Sequence, residues 1–253
     1  MTEICIICSH PREAAAVAAR MNDARKRHFG LYCGYEGSFA GRAAVAGIAG
    51  EGENPAYVAV RQLTQLFHPD VLFNFGIAGA VSERMHVGDV VLVRESIRCM
   101  LPAVVADNTF TDDNLVFPDD ETREHILRSP SAVSDAIMLQ SALCSLNSHK
   151  TPHMRQRTVC SVRIGCSPAP MEGSRMREFA RKRFQVEAAD MESYGFLSAA
   201  QDVNLPALCL KIISDACGSD ARTEFERHAR CLLSVGSECL EIVVEHNARA
   251  IVC

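Results

Sequence analysis

The residues best suited to chemistry in this chain are carboxylates at the ends of apolar runs. Ala207 to Ile213 reads as a buried strand, and it stops abruptly in Ser214-Asp215-Ala216-Cys217. About twenty residues upstream, Ala189-Asp190-Met191-Glu192-Ser193 places acids at a second strand-to-helix junction. A third, Glu13, follows the apolar run Ile4 to Cys8 by one turn of chain. In open α/β folds, ligands bind at the carboxyl ends of strands. Acidic strand ends without a metal-ligand signature point to acid/base work on a small polar molecule.

Each acid also has a plainer explanation. Asp190 can cap a helix, where a carboxylate contributes about 0.3–1 kcal/mol. Asp215 can cap a short turn at Ala216 to Gly218, and Glu13 can be a solvated first-turn glutamate. Glu192 is harder to explain as a cap, because Asp190 already fills that role. It suits a pair of vicinal hydroxyls such as a ribose presents. Gly76-Ile77-Ala78-Gly79 follows the apolar run Val71 to Phe75. Glycine there lets backbone amides approach a ligand oxygen, or simply makes a tight turn. It is neither a Walker loop nor a dinucleotide fingerprint, since the lysine and the third glycine are missing.

These sites need a scaffold. Ile4–Cys8, Val71–Phe75, Val90–Val93, Thr158–Ile164, Val186–Ala189 and Ala207–Ile213 read as strands, with two more between Gly30 and Gly50. Helices are expected from Pro11 to about Arg27, from Asn54-Pro55 onward, over Val133–Leu146 and Ser174–Phe184, from Met191 to about Asp202, and over Arg222–Glu245. The alternation predicts one α/β domain over residues 1–253, a three-layer sandwich around a mixed, largely parallel sheet. Residues 100–130 read as a long polar loop with Pro102, Pro118 and Pro130, a candidate substrate or subunit segment.

Composition narrows the partners. Charged residues make up 23% of the chain and the net charge is −5, so no global field favours nucleic acid or an anionic membrane. Aromatics are 6% and tryptophan is absent, which argues against a stacking surface. The run Arg175, Arg177, Arg181, Lys182, Arg183 reads as a solvated helix face. No stretch reaches membrane-spanning length, and the N-terminus lacks the basic flank of a signal peptide. The twelve cysteines read as reduced thiols of a cytoplasmic protein, six of them (Cys5, Cys8, Cys160, Cys209, Cys231, Cys239) in apolar runs as small buried hydrophobes. Cys5 and Cys8 have redox-motif spacing but lie in a strand pattern, which favours a structural role. His149 and His153 have no glutamate between them, which excludes a zinc-protease motif.

Taken in order, these segments resemble the nucleoside phosphorylase/nucleosidase superfamily, and within it the 5′-methylthioadenosine/S-adenosylhomocysteine nucleosidases. The resemblance rests on Ile6 to Glu13, Gly47-Ile-Ala-Gly50, His68-Pro69-Asp70, Asn74-Phe-Gly-Ile-Ala-Gly79, Val87-Gly-Asp-Val90, Asp190-Met-Glu192 and Ile213-Ser-Asp215. Residues 100–170 match poorly. The resemblance implies cleavage of the N-glycosidic bond of an adenine nucleoside, without cofactor or metal. Asp215 would protonate the leaving base, and Glu13 would activate water. Glu192 and Met191 would hold the ribose, and Ile77, Ala78, Gly79 and Ser214 would complete the substrate site. It also implies a homodimer. Asn74 stands where hexameric phosphorylases carry a phosphate-binding arginine, which favours water. Arg12 is the candidate phosphate ligand in the phosphorolytic alternative. Ile77 replaces the serine usual in the hydrolases, and Gly-Ile-Ala-Gly is also similar to the futalosine hydrolase and hopanoid-linked phosphorylase branches. A catalytically silent nucleoside-binding protein is the alternative from another class.

Overall fold

The computed structural model describes residues 2–99, 103–104, 115–116 and 131–247. The strands are β1 (Ile4–Cys8), β2 (Asn22–Phe29), β3 (Tyr32–Phe39), β4 (Arg42–Ile48), β5 (Val71–Ala80), β6 (Val90–Arg98), β7 (Ala103–Val104), β8 (Leu115–Val116), β9 (Ala132–Val133), β10 (Val159–Cys166), β11 (Ala188–Asp190) and β12 (Ala207–Asp215). The helices are α1 (Pro11–Ala18), α2 (Glu53–Phe67), α3 (Ala136–Ser148), α4 (Ser174–Phe179, continued by a π turn to Phe184), α5 (Ser193–Asp202) and α6 (Ala221–Asn247). Apart from the β7–β8 pair, the expected 100–130 loop lies outside the described residues.

The main sheet runs β2-β3-β4-β1-β5-β12-β6-β10-β11. Strands β4, β1, β5 and β12 are mutually parallel, and β6, β10 and β11 run the other way. The sheet is therefore mixed, as expected, and helices cover both faces. One apolar cluster joins α1, α3 and α6 to one face. Another joins α2 and α5 to the opposite face. Side chains alternate across a strand, so Cys5 enters the second cluster and Cys8 the first. Their sulfurs lie on opposite faces, so the Cys-x-x-Cys spacing is structural.

The sheet also curls. β11 pairs antiparallel with the end of β5, Ala188 opposite Ala80 and Ala189 opposite Gly79. Strands β5, β12, β6, β10 and β11 thus form a closed ring. That closure brings the Asp190–Glu192 junction beside the end of β12. It joins residues more than a hundred positions apart, which no local pattern encodes.

Several boundaries differ from the sequence reading. α1 ends at Ala18 rather than near Arg27, and Asn22–Phe29 is an edge strand. All of β2 except Phe29 is exposed, so it lacks the apolar alternation that marks a strand. Its conformation is imposed by antiparallel pairing with β3. β5 continues through Gly76–Gly79 to Ala80, so that segment is strand and not a turn. Cys231 is exposed rather than buried, because it lies on the outer side of α6. Arg177 is half-buried rather than solvated, whereas Arg175, Arg181, Lys182 and Arg183 are exposed.

Candidate active site

The ends of β1, β5, β11 and β12 surround a cavity of about 480 Å³. Every residue assigned to the site from sequence lines it: Arg12, Glu13, Ile77, Ala78, Gly79, Met191, Glu192, Ser214 and Asp215.

Glu13 is 4% exposed, which overturns the solvated reading. Pro11 opens α1 and His10 caps it, with Glu13 at the third helical position completing a capping box. The Glu13 carboxylate accepts bonds from Ser9 N (2.9 Å), Ser9 Oγ (2.9 Å) and His10 N (3.0 Å) through Oε2. Its other oxygen accepts from Ile77 N at 3.3 Å. Gly76 makes this approach feasible, because a Cβ there would stand 2.5 Å from Glu13 Oε1. The glycine is needed in a strand for its missing side chain, not for a turn.

Asp215 is aimed by a bulge. Between β12 and β5 the register passes from Ile213–Ala78 to Asp215–Gly79, leaving Ser214 as the extra residue. Bulges re-aim side chains and recur beside active sites. Ser214 Oγ donates to Asp215 Oδ2 at 2.6 Å, and Cys217 N donates to Oδ1 at 2.9 Å. Both bonds favour the charged form, yet burial outweighs them and raises the Asp215 carboxyl above the ordinary aspartate range, with Glu224 and Glu172 reinforcing the effect. The shift has the direction a general acid requires. A Cβ on Gly79 would overlap Cys217 Sγ and come within 3.0 Å of Asp215 Oδ1.

The second acidic junction has a partner that the sequence did not reveal. Lys211 lies in the middle of the apolar β12, 1% exposed, facing the α2/α5 side with Cys209 and Ile213. Its Nζ stands 2.9 Å from Asp190 Oδ2 and 3.8 Å from Glu192 Oε2. Burial alone would lower the Lys211 pKa. Asp190, Glu192 and Glu13 outweigh that effect, and the ammonium is held above the ordinary lysine range. Asp190 also accepts from Ser193 N and Ser193 Oγ, so the capping role and the ion pair coexist. Glu192 accepts from Gly52 N at 2.9 Å. Burial pushes the Glu192 carboxyl up to about 7, against the pull of Lys211. A lysine within a strand-forming apolar run normally marks an edge or a functional contact, and that was the available signal.

Arg12 is exposed and pairs with Glu226 of α6 at 3.3 Å across the cavity mouth. Asn74 is buried in β5 and donates from Nδ2 to Ile7 O at 3.0 Å. It supports β1 and does not line the cavity.

Residues 3–245 match the family model described as the phosphorylase superfamily. The chain belongs to this superfamily. Among curated relatives it is similar to the 5′-methylthioadenosine/S-adenosylhomocysteine nucleosidase of Anoxybacillus flavithermus, 23% identical over 83% of this chain and 84% of the relative. The enzyme of the same name from Actinobacillus succinogenes is also 23% identical, over 88% of this chain and 90% of its own. Among solved structures, the Neisseria meningitidis nucleosidase in complex with methylthio-immucillin-A aligns with TM-score 0.78 and 21% identity, covering 97% and 99% of the two chains. The futalosine hydrolase of Helicobacter pylori also aligns at 0.78, with 14% identity over 96% and 97%. At these identities the structural likeness concerns the fold, and both branches share it with this superfamily member.

Proposed function

We propose that this protein cleaves the N-glycosidic bond of an adenine nucleoside, 5′-methylthioadenosine or S-adenosylhomocysteine being the first substrates to test. The observation that carries the reading is the meeting of Glu13, Glu192 and Asp215 around one cavity in a chain of this superfamily. Asp215 donates a proton to the departing purine, for which its raised pKa is suited. Glu192 and Met191 receive the ribose, with Ile77, Ala78, Gly79 and Ser214 completing the walls. Glu13, held by Ser9, His10 and Ile77 N, activates the attacking water. We read residues 1–253 as one catalytic domain acting as a cytoplasmic homodimer without a cofactor. Light scattering tests the dimer.

Charge favours water over phosphate as the nucleophile. Glu13, Glu51, Glu172, Asp190, Glu192, Asp215 and Glu226 line the cavity, against Arg12 and Arg222. Arg12, the candidate phosphate ligand, is already engaged by Glu226. A phosphate dianion would enter a predominantly acidic site. The second reading, a futalosine-cleaving or phosphorolytic relative, is favoured by Ile77 in the Gly-Ile-Ala-Gly segment and by the likeness to futalosine hydrolase. The third, a silent nucleoside binder, rests on Ile77 and on the poor match of residues 100–170.

The test is product release from methylthioadenosine, adenosine, inosine and futalosine, with and without phosphate. Adenine release independent of phosphate is expected, and Asp215→Asn should reduce it by about 10²–10⁴-fold. Release of hypoxanthine from futalosine alone, or a strict phosphate requirement, selects the second reading. Binding without turnover of any of the four selects the third.

A further inference from the structure

The two peptides that follow Asp215 are gripped from outside their own strand. Ala216 N donates to Glu224 Oε2 at 3.0 Å, and Ala216 O accepts from Arg177 Nη1 at 3.1 Å. One residue on, Cys217 O accepts from Gly173 N at 3.1 Å. Glu224 lies in the first turn of α6, and Arg177 lies in α4. Each element supplies one side chain to one of the two peptide groups that flank the Ala216 Cα: Glu224 to the Asp215–Ala216 peptide, Arg177 to the Ala216–Cys217 peptide.

That grip answers a conformational problem. Cys217 has φ 50°, in the left-handed region that non-glycine residues occupy only when their surroundings impose it. Cys217 N is also the group that orients Asp215 Oδ1. If the peptide before Cys217 relaxed, the Asp215 carboxyl would lose its aim. A first-turn carboxylate is often explained by the helix dipole. That does not explain why Glu224 reaches out of its helix to a peptide in another element.

We propose that Glu224, with Arg177 as its counterpart, is a positioning residue for proton donation by Asp215. Glu224 fixes the peptide between Asp215 and Ala216, Arg177 fixes the next one, which carries Cys217 N, and the negative charge of Glu224 beside the acid keeps the proton on Asp215. This rests on the assignment of Asp215 as the acid made above. The groups facing Asp215 are Ser214 and Cys217 of its own segment, Gly79 of β5, Glu224 of α6, and Glu172 from the segment before α4. Arg177 faces the same loop beside Cys217. Glu224 and Glu172 both disfavour ionisation of Asp215. Removing the Glu224 charge therefore makes Asp215 ionise more readily.

Two variants separate position from charge. Glu224→Gln keeps an oxygen acceptor for Ala216 N and loses the charge. The alkaline limb of its kcat/KM profile for methylthioadenosine should move to lower pH. The activity at pH 8.5 relative to pH 6 should fall at least about threefold below the wild-type ratio. Glu224→Ala loses the anchor as well, and kcat should fall about 10- to 100-fold at every pH, because small misplacement of a reacting group is costly. Arg177→Met should lower kcat without the same movement of the limb. A role confined to helix stability would lower the melting temperature and leave the limb in place. If Glu224→Gln leaves the limb unmoved, the inference is overturned, whether or not Glu224→Ala folds. Wild type and Asp215→Asn run alongside. No adenine release by wild type, or full turnover by Asp215→Asn, overturns the underlying reading instead.

Discussion

Replacing Lys211 by methionine removes the cation buried against Asp190 and Glu192. Lys211 is 1% exposed and stands 2.9 Å from Asp190 and 3.8 Å from Glu192. Methionine fills similar space, so packing changes little and the loss is electrostatic. Breaking one side of a buried pair costs about 3–5 kcal/mol, because the remaining charge stays desolvated. For a chain of this size that corresponds to a fall in melting temperature of roughly 10 °C. The cost has a pH signature. The Glu192 pKa in the folded state, about 7, lies above that of an unfolded glutamate, about 4.3. The folded state binds this proton more tightly, so the contribution of Glu192 to stability falls as pH rises from roughly 4.5 to 7 and then levels. Lys211 limits that rise more than the Gly52 N–H does. Without Lys211, the Glu192 pKa moves higher and the decline extends to more alkaline pH. The deficit of Lys211→Met relative to wild type should therefore be larger at pH 8 than at pH 5. Urea denaturation at the two pH values reads it directly. A deficit equal at both, or below about 1 kcal/mol at pH 8, would refute the idea that a buried cation neutralises this junction.

The other predictions concern the remaining acids. Glu13→Gln turns an amide toward the Ser9 and His10 donors and removes the base. Adenine release should fall about 10²-fold or more, and a phosphate-dependent activity surviving the change would establish phosphorolysis. Gly79→Ala sets a methyl group against Cys217 Sγ and 3.0 Å from Asp215 Oδ1. Overpacking should cost about 1–3 kcal/mol and lower turnover more than tenfold. Adding Cys217→Ala should restore much of both in thermal melts and adenine assays, and no recovery would mean the clash lies elsewhere.

The local vocabulary of the site is legible in the chain. The apolar runs ending in Glu13, Glu192 and Asp215 named the strand ends, and the ordered motifs named the family. Gly76 and Gly79 were visible, but their reason was not. They read as a turn or as a close backbone approach to a ligand, whereas they are strand positions emptied so that Glu13 and the Asp215–Cys217 loop can close in. β2 was misread because an edge strand with exposed side chains carries no periodic signal. Tertiary structure alone decided three things: the bulge at Ser214 that aims Asp215, the ring closure of β11 on β5, and the burial of Lys211 against two carboxylates. Each is a relation between segments distant in the chain. A residue type and its neighbours fix what a group can do, but desolvation and opposite charge, which set its pKa and partner, come from whatever the fold packs against it.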